Sequence, residues 1–434
     1  MSAKLPLVSI ALLCTVVFSW SLYRDIQSEK QYAGDLRNRI VGARMQKDGR
    51  SPYFYKWKKG DGTRYYDPDN FDSLQVSNIT ASPFFHQLLY PIAELPQRTI
   101  SLYWLVAEYG MLIVIIMLSL SLAITKQQQW LVLMAACLFL LTEAWKMHVA
   151  NGQNYVCIPL LAMAFYYCIN KKRTLLMAFV AGCCAVTLVL IKPNAALFFI
   201  PFLFLLKKYS SRYLAVFILP VILAGIWIIT GSSGIFLWKQ YKENIAQQIK
   251  IHQQYPHVVQ VNEDDPGFAF WEGIDMKKNK EETIRHPLHI FSENGNIFVV
   301  AQQIFHKKLY TGTLFVLSGC SILLLLAAFY TRHRATGFTL PGAAFMGFCL
   351  FMLSDLFSPV YRHQYYTVQW IFPLFLSAAM YHSAQRKIYF LLAAGVFLNI
   401  LNIGFIPMEH TIGEYIMLVV FIVLSLRRET HTIQ

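Results

Sequence analysis

Apolar residues recur along the whole chain in runs close to the length of a membrane-crossing helix, and polar residues gather between them. The runs fall at 5–22, 101–124, 130–147, 155–169, 174–191, 195–206, 213–231, 309–330, 339–358, 366–382, 387–406 and 413–426. A helix needs about 20 mainly apolar residues to cross hydrocarbon, so the pattern predicts an all-α polytopic membrane protein with about twelve transmembrane helices. The run at 195–206 is short for a full crossing and reads as tilted, broken or re-entrant. Two polar stretches, 23–100 and 232–308, read as large outward insertions into one membrane domain covering 1–434. In the first, GDLRNRIVGARMQKDG sets Leu36, Ile40, Ala43 and Met45 at helical spacing. That spacing predicts a short amphipathic helix at the membrane interface, with Arg37, Arg44 and Lys47 towards headgroups. The second holds KQYKENIAQQIKIHQQ, a polar helix by pattern, and then the loop NEDDPGF. No internal repeat is visible.

Composition fits this pattern, for 434 residues that are 56% hydrophobic with mean hydropathy +0.42 are too apolar for an ordinary soluble domain. The net charge of +14 matters through its placement. With the N-terminus inside and the helices alternating, the cytoplasmic pieces carry Lys4, Lys126, Asn170–Arg173, Lys207, Lys208, Arg212, Thr331–Arg334, Arg386, Lys387, Arg427 and Arg428, with Glu429 the one acid. This is the positive-inside bias that orients helices, and it puts both termini in the cytoplasm. The basic balance therefore points to a lipid bilayer as partner, not to nucleic acid. The first run follows a single lysine and lacks a small-residue cleavage pattern, so it reads as a retained anchor. All eight cysteines lie within predicted spans, and no disulfide framework or zinc spacing follows from them. Cys183 and Cys184 read as small apolar packing.

The same alternation puts every unusual polar cluster on the outward side: Asp35, Trp145–Asn154, Lys192-Pro193-Asn194, Ser358–Tyr366 and Pro407–His410. A polar cavity opening outward is the economical account. Each piece also has an ordinary reading. Lys192 alone is a snorkelling lysine, and Asn151 caps a helix that starts near Gly152-Gln153-Asn154. Arg362-His363 among tyrosines makes an interfacial anchor, and Asp35 a surface charge or cap. Asp25, Asp48, Asp61, Asp67, Asp69 and Asp72 compete with Asp35, and spacing does not choose among them. Glu108, Glu143 and Asp355 lie in or beside spans, as supports for the cavity or partners of Lys146 or Arg362. His86 and His148 read as structural, and Asn78-Ile79-Thr80 is a glycosylation sequon. Basic residues on the outer side oppose the positive-inside trend, and an anionic headgroup or phosphate is the simplest reason for them.

Taken together these pieces resemble family 87 of the glycosyltransferases, the polyprenyl-phosphate-mannose-dependent α-mannosyltransferases of the GT-C superfamily. The resemblance runs in order: an Asp after the first span, then Gly49-Arg50-Ser51-Pro52-Tyr53, then Ser82–Pro96 leading into the second span. Gly152-Gln153-Asn154 is similar to the family's Gly-Gln-x motif, Ile191-Lys192-Pro193 to its Lys-Pro motif, and Ser358-Pro359 with His363-Gln364-Tyr365 to its late Ser-Pro and His-x-Tyr segment. It covers most of residues 1–370, while NEDDPGF has no counterpart in the family pattern.

The resemblance implies a GT-C-like bundle in a bacterial inner or plasma membrane, with an extracytoplasmic active site serving the cell envelope. It implies transfer of a hexose, mannose by the family's habit, from a polyprenyl-phosphate donor to a glycolipid, glycan or other hydroxyl acceptor. Negative charge builds on the leaving phosphate, which Lys192, Arg362 and His363 would stabilise. Because phosphate leaves readily, one carboxylate suffices, and Asp35 would act as general base in a single inverting displacement. Gln153 and Asn154 would bind the phosphate or sugar hydroxyls, and Tyr53 and Tyr365 would line the substrate pocket. No metal and no cofactor are required. The rival readings are a lipid-linked saccharide polymerase or ligase, and a polytopic transporter or flippase. The lack of half-to-half symmetry argues against the transporter.

Overall fold

The computed structural model describes residues 5–29, 34–53, 64–65, 80–171, 174–231, 234–254, 295–360, 362–400 and 408–427. Asp61, Asp67, Asp69, Asp72, Asn78 and the NEDDPGF loop lie outside these described residues. Among them every regular element is helical. In order these are α1 (Leu5–Glu29), α2 (Gly34–Lys47), α3 (Pro83–Leu88), α4 (Gln97–Leu122), α5 (Lys126–Leu140), α6 (Glu143–Ala150), α7 (Cys157–Asn170) and α8 (Leu175–Ile191). A long 3₁₀ helix, Pro193–Lys208, follows, then α9 (Ser211–Thr230), α10 (Gly234–Gln254), α11 (Ile297–Phe305), α12 (Thr311–His333) and α13 (Leu340–Leu356). A short 3₁₀ helix, Gln364–Trp370, runs into α14 (Ile371–Ala379), and α15 (Arg386–Ile400) and α16 (Glu409–Leu426) close the chain.

Each predicted run falls on a helix, but fewer helices than twelve meet the length and apolarity of a crossing. Among the described residues α4, α9, α12 and α16 do so alone, and α5 with α6 makes a fifth if their 60° bend lies within one span. That bend breaks the predicted run 130–147. Its cause is Thr142, whose hydroxyl accepts from the Trp145 amide at 3.0 Å and so caps a new helix. Asn151, expected to start a helix, instead closes this one: its Nδ2 donates to the Met147 carbonyl at 2.8 Å.

The short run at 195–206 resolves differently. As a 3₁₀ helix of 16 residues, rising about 2.0 Å per residue, it extends about 32 Å. The same residues wound as an α-helix would fall well short of that reach. Its buried residues Ala195, Phe198, Pro201 and Leu205 recur at close to the three-residue period of such a helix. They face α13, which is apolar on every side and buried along nearly its whole length, as a central helix should be. At Gly347 a Cβ would collide with the Phe198 carbonyl oxygen, so glycine is what lets the two backbones touch.

Most of the predicted basic links meet helix ends. Lys171 Nζ donates to the Ser121 carbonyl at 3.0 Å, Lys208 Nζ to Phe338 at 2.6 Å, and Arg332 Nε to Leu426 at 3.2 Å. Cations beside helix C-termini satisfy orphan carbonyls there, as Lys171 does at the end of α4 and Arg332 at the end of α16. This is the end of the bundle remote from α2.

The amphipathic helix forms, and its apolar face packs on protein. Leu36, Ile40, Val41, Ala43 and Met45 of α2 are buried in protein, packed on α3 and the residues around it. Its basic residues face the polypeptide: Arg44 Nε donates to the Ala93 carbonyl at 2.7 Å, and Lys47 pairs with Glu94 at 3.3 Å. The helix is therefore a fixed part of the fold.

Candidate active site

Asp35 sits in the first turn of α2, partly buried. The Gln153 amide donates a short hydrogen bond to its Oδ2. Gln153 is itself oriented by Arg39, one turn along α2, whose Nη2 donates to Gln153 Oε1 at 2.5 Å and whose Nη1 donates to the Gly152 carbonyl at 2.8 Å. With its oxygen held by Arg39, the amide must present its NH₂ to the carboxylate. Gly152 makes the approach feasible. Its φ is +59°, and a Cβ there would sit 2.5 Å from Leu36 Cβ. A left-handed turn pressed on α2 is thus the physical content of Gly152-Gln153: it delivers a buried amide to Asp35.

Lys192 stands where α8 ends and the 3₁₀ helix begins. Its ammonium lies 2.7 Å from Asp355 Oδ1 and 3.1 Å from Gln369 Oε1, and 5.0–5.2 Å from the ring centres of Tyr155, Phe351 and Tyr366. Three aromatic faces with a carboxylate make a rigid seat for a cation. Behind it lies Arg362, 3% exposed, with Nε 2.9 Å from Asp355 Oδ2 and two nitrogens on Glu414 at 2.6 and 3.1 Å. Thr367 and the Trp370 indole also donate to Glu414. Asn296, at the end of the second insertion, fixes the loop: it accepts from the Arg362 amide at 2.8 Å and donates to the carbonyls of Ser358 and Val360.

An aromatic layer joins the two halves. Tyr155 and Tyr366 lie 4.2 Å apart between ring centres, Tyr365 stacks on Tyr366 at 5.4 Å, and exposed His363 stacks on Tyr365 at 5.1 Å. Tyr365 also lies against Tyr155, 5.7 Å between ring centres, two residues along the chain from Gln153. Tyr366 lies in the fields of Asp35, Asp355 and Arg362 and over Lys192. Asp35, Gln153, Tyr365, His363, Lys192 and Arg362 therefore share one end of the bundle and one continuous cluster. A carboxylate at its edge, fixed cations and aromatic faces together suit binding of an anion beside a hydroxyl-bearing substrate.

One expected site residue, Tyr53, lies elsewhere, and another, Arg362, turns inward within the cluster. Tyr53 is fully buried, its hydroxyl donating to the Ala81 carbonyl at 2.9 Å, so it packs α2 and does not line the cluster. Arg362 faces inward to two carboxylates, because a buried guanidinium requires that compensation. Asn154 accepts through its carbonyl from the Cys157 amide, at the approach to α7. The competing aspartates have partners: buried Asp25 accepts from Tyr109 and Trp145, and Asp48 from Arg64 and Tyr65 on the surface. His148 lies buried 3.2 Å from Glu108, and Glu143 pairs with Lys146.

Among the residues of the cluster that escaped the sequence reading are Arg39, Gln369, Glu414 and Asn296. Glu414 carried a signal, since a carboxylate inside an apolar helix is costly without a partner. Arg39 carried one too, four residues from Asp35 and so on the same helix face.

A family model, Glycosyltransferase family 87, matches residues 80–256, less than half of the chain. The matched stretch contains Gln153 and Lys192, whereas Asp35, Asp355 and Arg362 lie outside it. On this match the chain is an enzyme, a glycosyltransferase, and its apolar helices make it a membrane protein. No curated protein and no solved structure matches it.

Proposed function

We propose that this glycosyltransferase takes a hexose, mannose by its resemblance to family 87, from a polyprenyl-phosphate donor and delivers it to an acceptor hydroxyl. The polyprenyl tail lies in the bilayer, and its phosphate enters the cluster between α2, α6 and the 364–370 helix. The observation that carries the reading is the joining of Asp35, through Gln153 and its near neighbour Tyr155, to the aromatic seat of Lys192. The basic links at the other end of the bundle support an extracytoplasmic site, since positive charge marks the cytoplasmic side.

In the reaction the acceptor oxygen forms a bond to the anomeric carbon as the bond from that carbon to the phosphate oxygen breaks. The bonding pair leaves with the phosphate, and Asp35 takes the hydroxyl proton as general base. Attack opposite the leaving group inverts the configuration, so a β-linked donor gives an α-linked product. Lys192 has three N–H donors; Asp355 and Gln369 accept two, which leaves one for the phosphate. Gln153 holds the Asp35 carboxylate in place, and Tyr365, stacked on Tyr366, backs the exposed His363 ring towards the substrate.

The test is an assay of the purified protein against a panel of polyprenyl-phosphate hexoses and hydroxyl acceptors, read by mass spectrometry. The expected result is a product heavier by one hexose with release of polyprenyl phosphate. Consumption of none of the panel, or growth of a long chain, would count against the proposal.

A further inference from the structure

Charge at the site divides unevenly among its three cations. Lys192 and Arg362 sit on Asp355 and Glu414 at 2.6–2.9 Å, two cations against two carboxylates in one buried network. Among the described residues that network balances two cations with two carboxylates, and an incoming phosphate gains hydrogen bonds from it but little net charge. Arg39 differs. Among the described residues no carboxylate pairs with it directly: it holds the Gly152 carbonyl, the Gln153 amide oxygen and the face of Phe85 at 5.9 Å, and Asp35 is joined to it only through Gln153. Two of its five N–H donors are engaged by those oxygens, and the rest of a planar fork suited to a phosphate remains.

Its placement fits the chemistry. Arg39 lies one helical turn from Asp35, where Cβ atoms stand about 5–6 Å apart on one face. A phosphate on Arg39 would therefore hold the attached sugar carbon within reach of a hydroxyl bound at Asp35. Gln153 bonds to both residues, so Arg39 belongs to the same cluster. Holding the guanidinium by two oxygens fixes its orientation before substrate arrives, which lowers the ordering cost of binding.

We propose that Arg39 is the phosphate-binding cation of the donor site, with Lys192 a hydrogen-bond donor in a charge-balanced network. This rests on the polyprenyl-phosphate reading above and goes beyond it by naming the residue that selects for the phosphate. The test compares binding of polyprenyl phosphate and of the uncharged polyprenol to the purified full-length protein, as wild type, Arg39→Gln and Arg39→Lys. Thermal unfolding of each variant in the same detergent reports whether it is folded.

Wild type should prefer the phosphate over the alcohol by at least tenfold, and raised salt should shrink that preference. Arg39→Gln should bind both alike, and Arg39→Lys should keep part of the preference. If folded Arg39→Gln still prefers the phosphate as wild type does, Arg39 is not the selecting residue while the donor reading stands. If wild type shows no preference, the donor reading fails and this assignment with it. Should Arg39→Gln not fold, Arg39→Lys decides: an undiminished preference together with undiminished salt dependence at a lysine that cannot form the fork would overturn the bidentate role.

Discussion

Gln153 cannot hold Asp35 unless the chain turns left-handed at Gly152 and comes within contact of Leu36. A Cβ at 152 meets Leu36 Cβ at 2.5 Å and adds the strain of a positive φ, so Gly152→Ala should cost about 1–3 kcal/mol and displace the Gln153 amide. Thermal unfolding should show the loss of stability, and transferase activity should fall by more than the folded fraction does. Unchanged melting and turnover would contradict this account of the turn. At this scale the sequence was readable where a motif is local: Asp35, Gln153 and Lys192 each stand in a short pattern. It was unreadable where a partner is distant. Lys192 and Asp355 are joined only by the fold, as are Arg362 and Glu414. No spacing rule connects such pairs, and the inward turn of Arg362 follows from them.

Helix α2 carries both Asp35 and Arg39, and its far end is clipped to the first insertion by surface charges. Arg64 lies 2.5 Å from Asp48 and 2.7 Å from Glu94, and its hydrogen bond holds the Asp48 carboxyl down at about 2. A depressed carboxylate contributes stability that is full above its unfolded value, about 4, and fades as pH falls towards about 2. Exposed pairs of this kind contribute only about 0–1 kcal/mol, so the effect on global unfolding is small. Protection of α2 amides from exchange should therefore weaken between about pH 4 and 2 in the wild type. In Arg64→Ala it should already be weak at pH 6; equal protection in both proteins would remove the clip from the account. Other elements deceived the sequence reading for physical reasons. Periodicity alone does not reveal that Thr142 caps a new helix inside an apolar run. Nor did a search for α-helical lengths admit that 193–208 reaches farther as a 3₁₀ helix.

Across the whole molecule, the gathering of polar clusters at one end and basic links at the other organises both fold and function. Asp35 near the N-terminus, Gln153 and Lys192 in the middle and the Arg362 network late in the chain converge on that end. The all-helical membrane class was legible from hydropathy, while the number of crossings was not, because α7, α8 and α13 are apolar yet short. Burial inside protein and immersion in lipid select the same residues, so the apolar run of α13 does not by itself say which of the two surrounds it. The central claim is that Asp35 removes the acceptor proton beside a bound lipid phosphate. Its most direct test is single-turnover transfer from a polyprenyl-phosphate hexose by wild type and Asp35→Asn, with polyprenyl-phosphate binding measured on the same samples. The account predicts a loss of about 10²–10⁴-fold in the rate of transfer, with binding of the lipid phosphate kept within a few fold. Transfer by Asp35→Asn at the wild-type rate would contradict it.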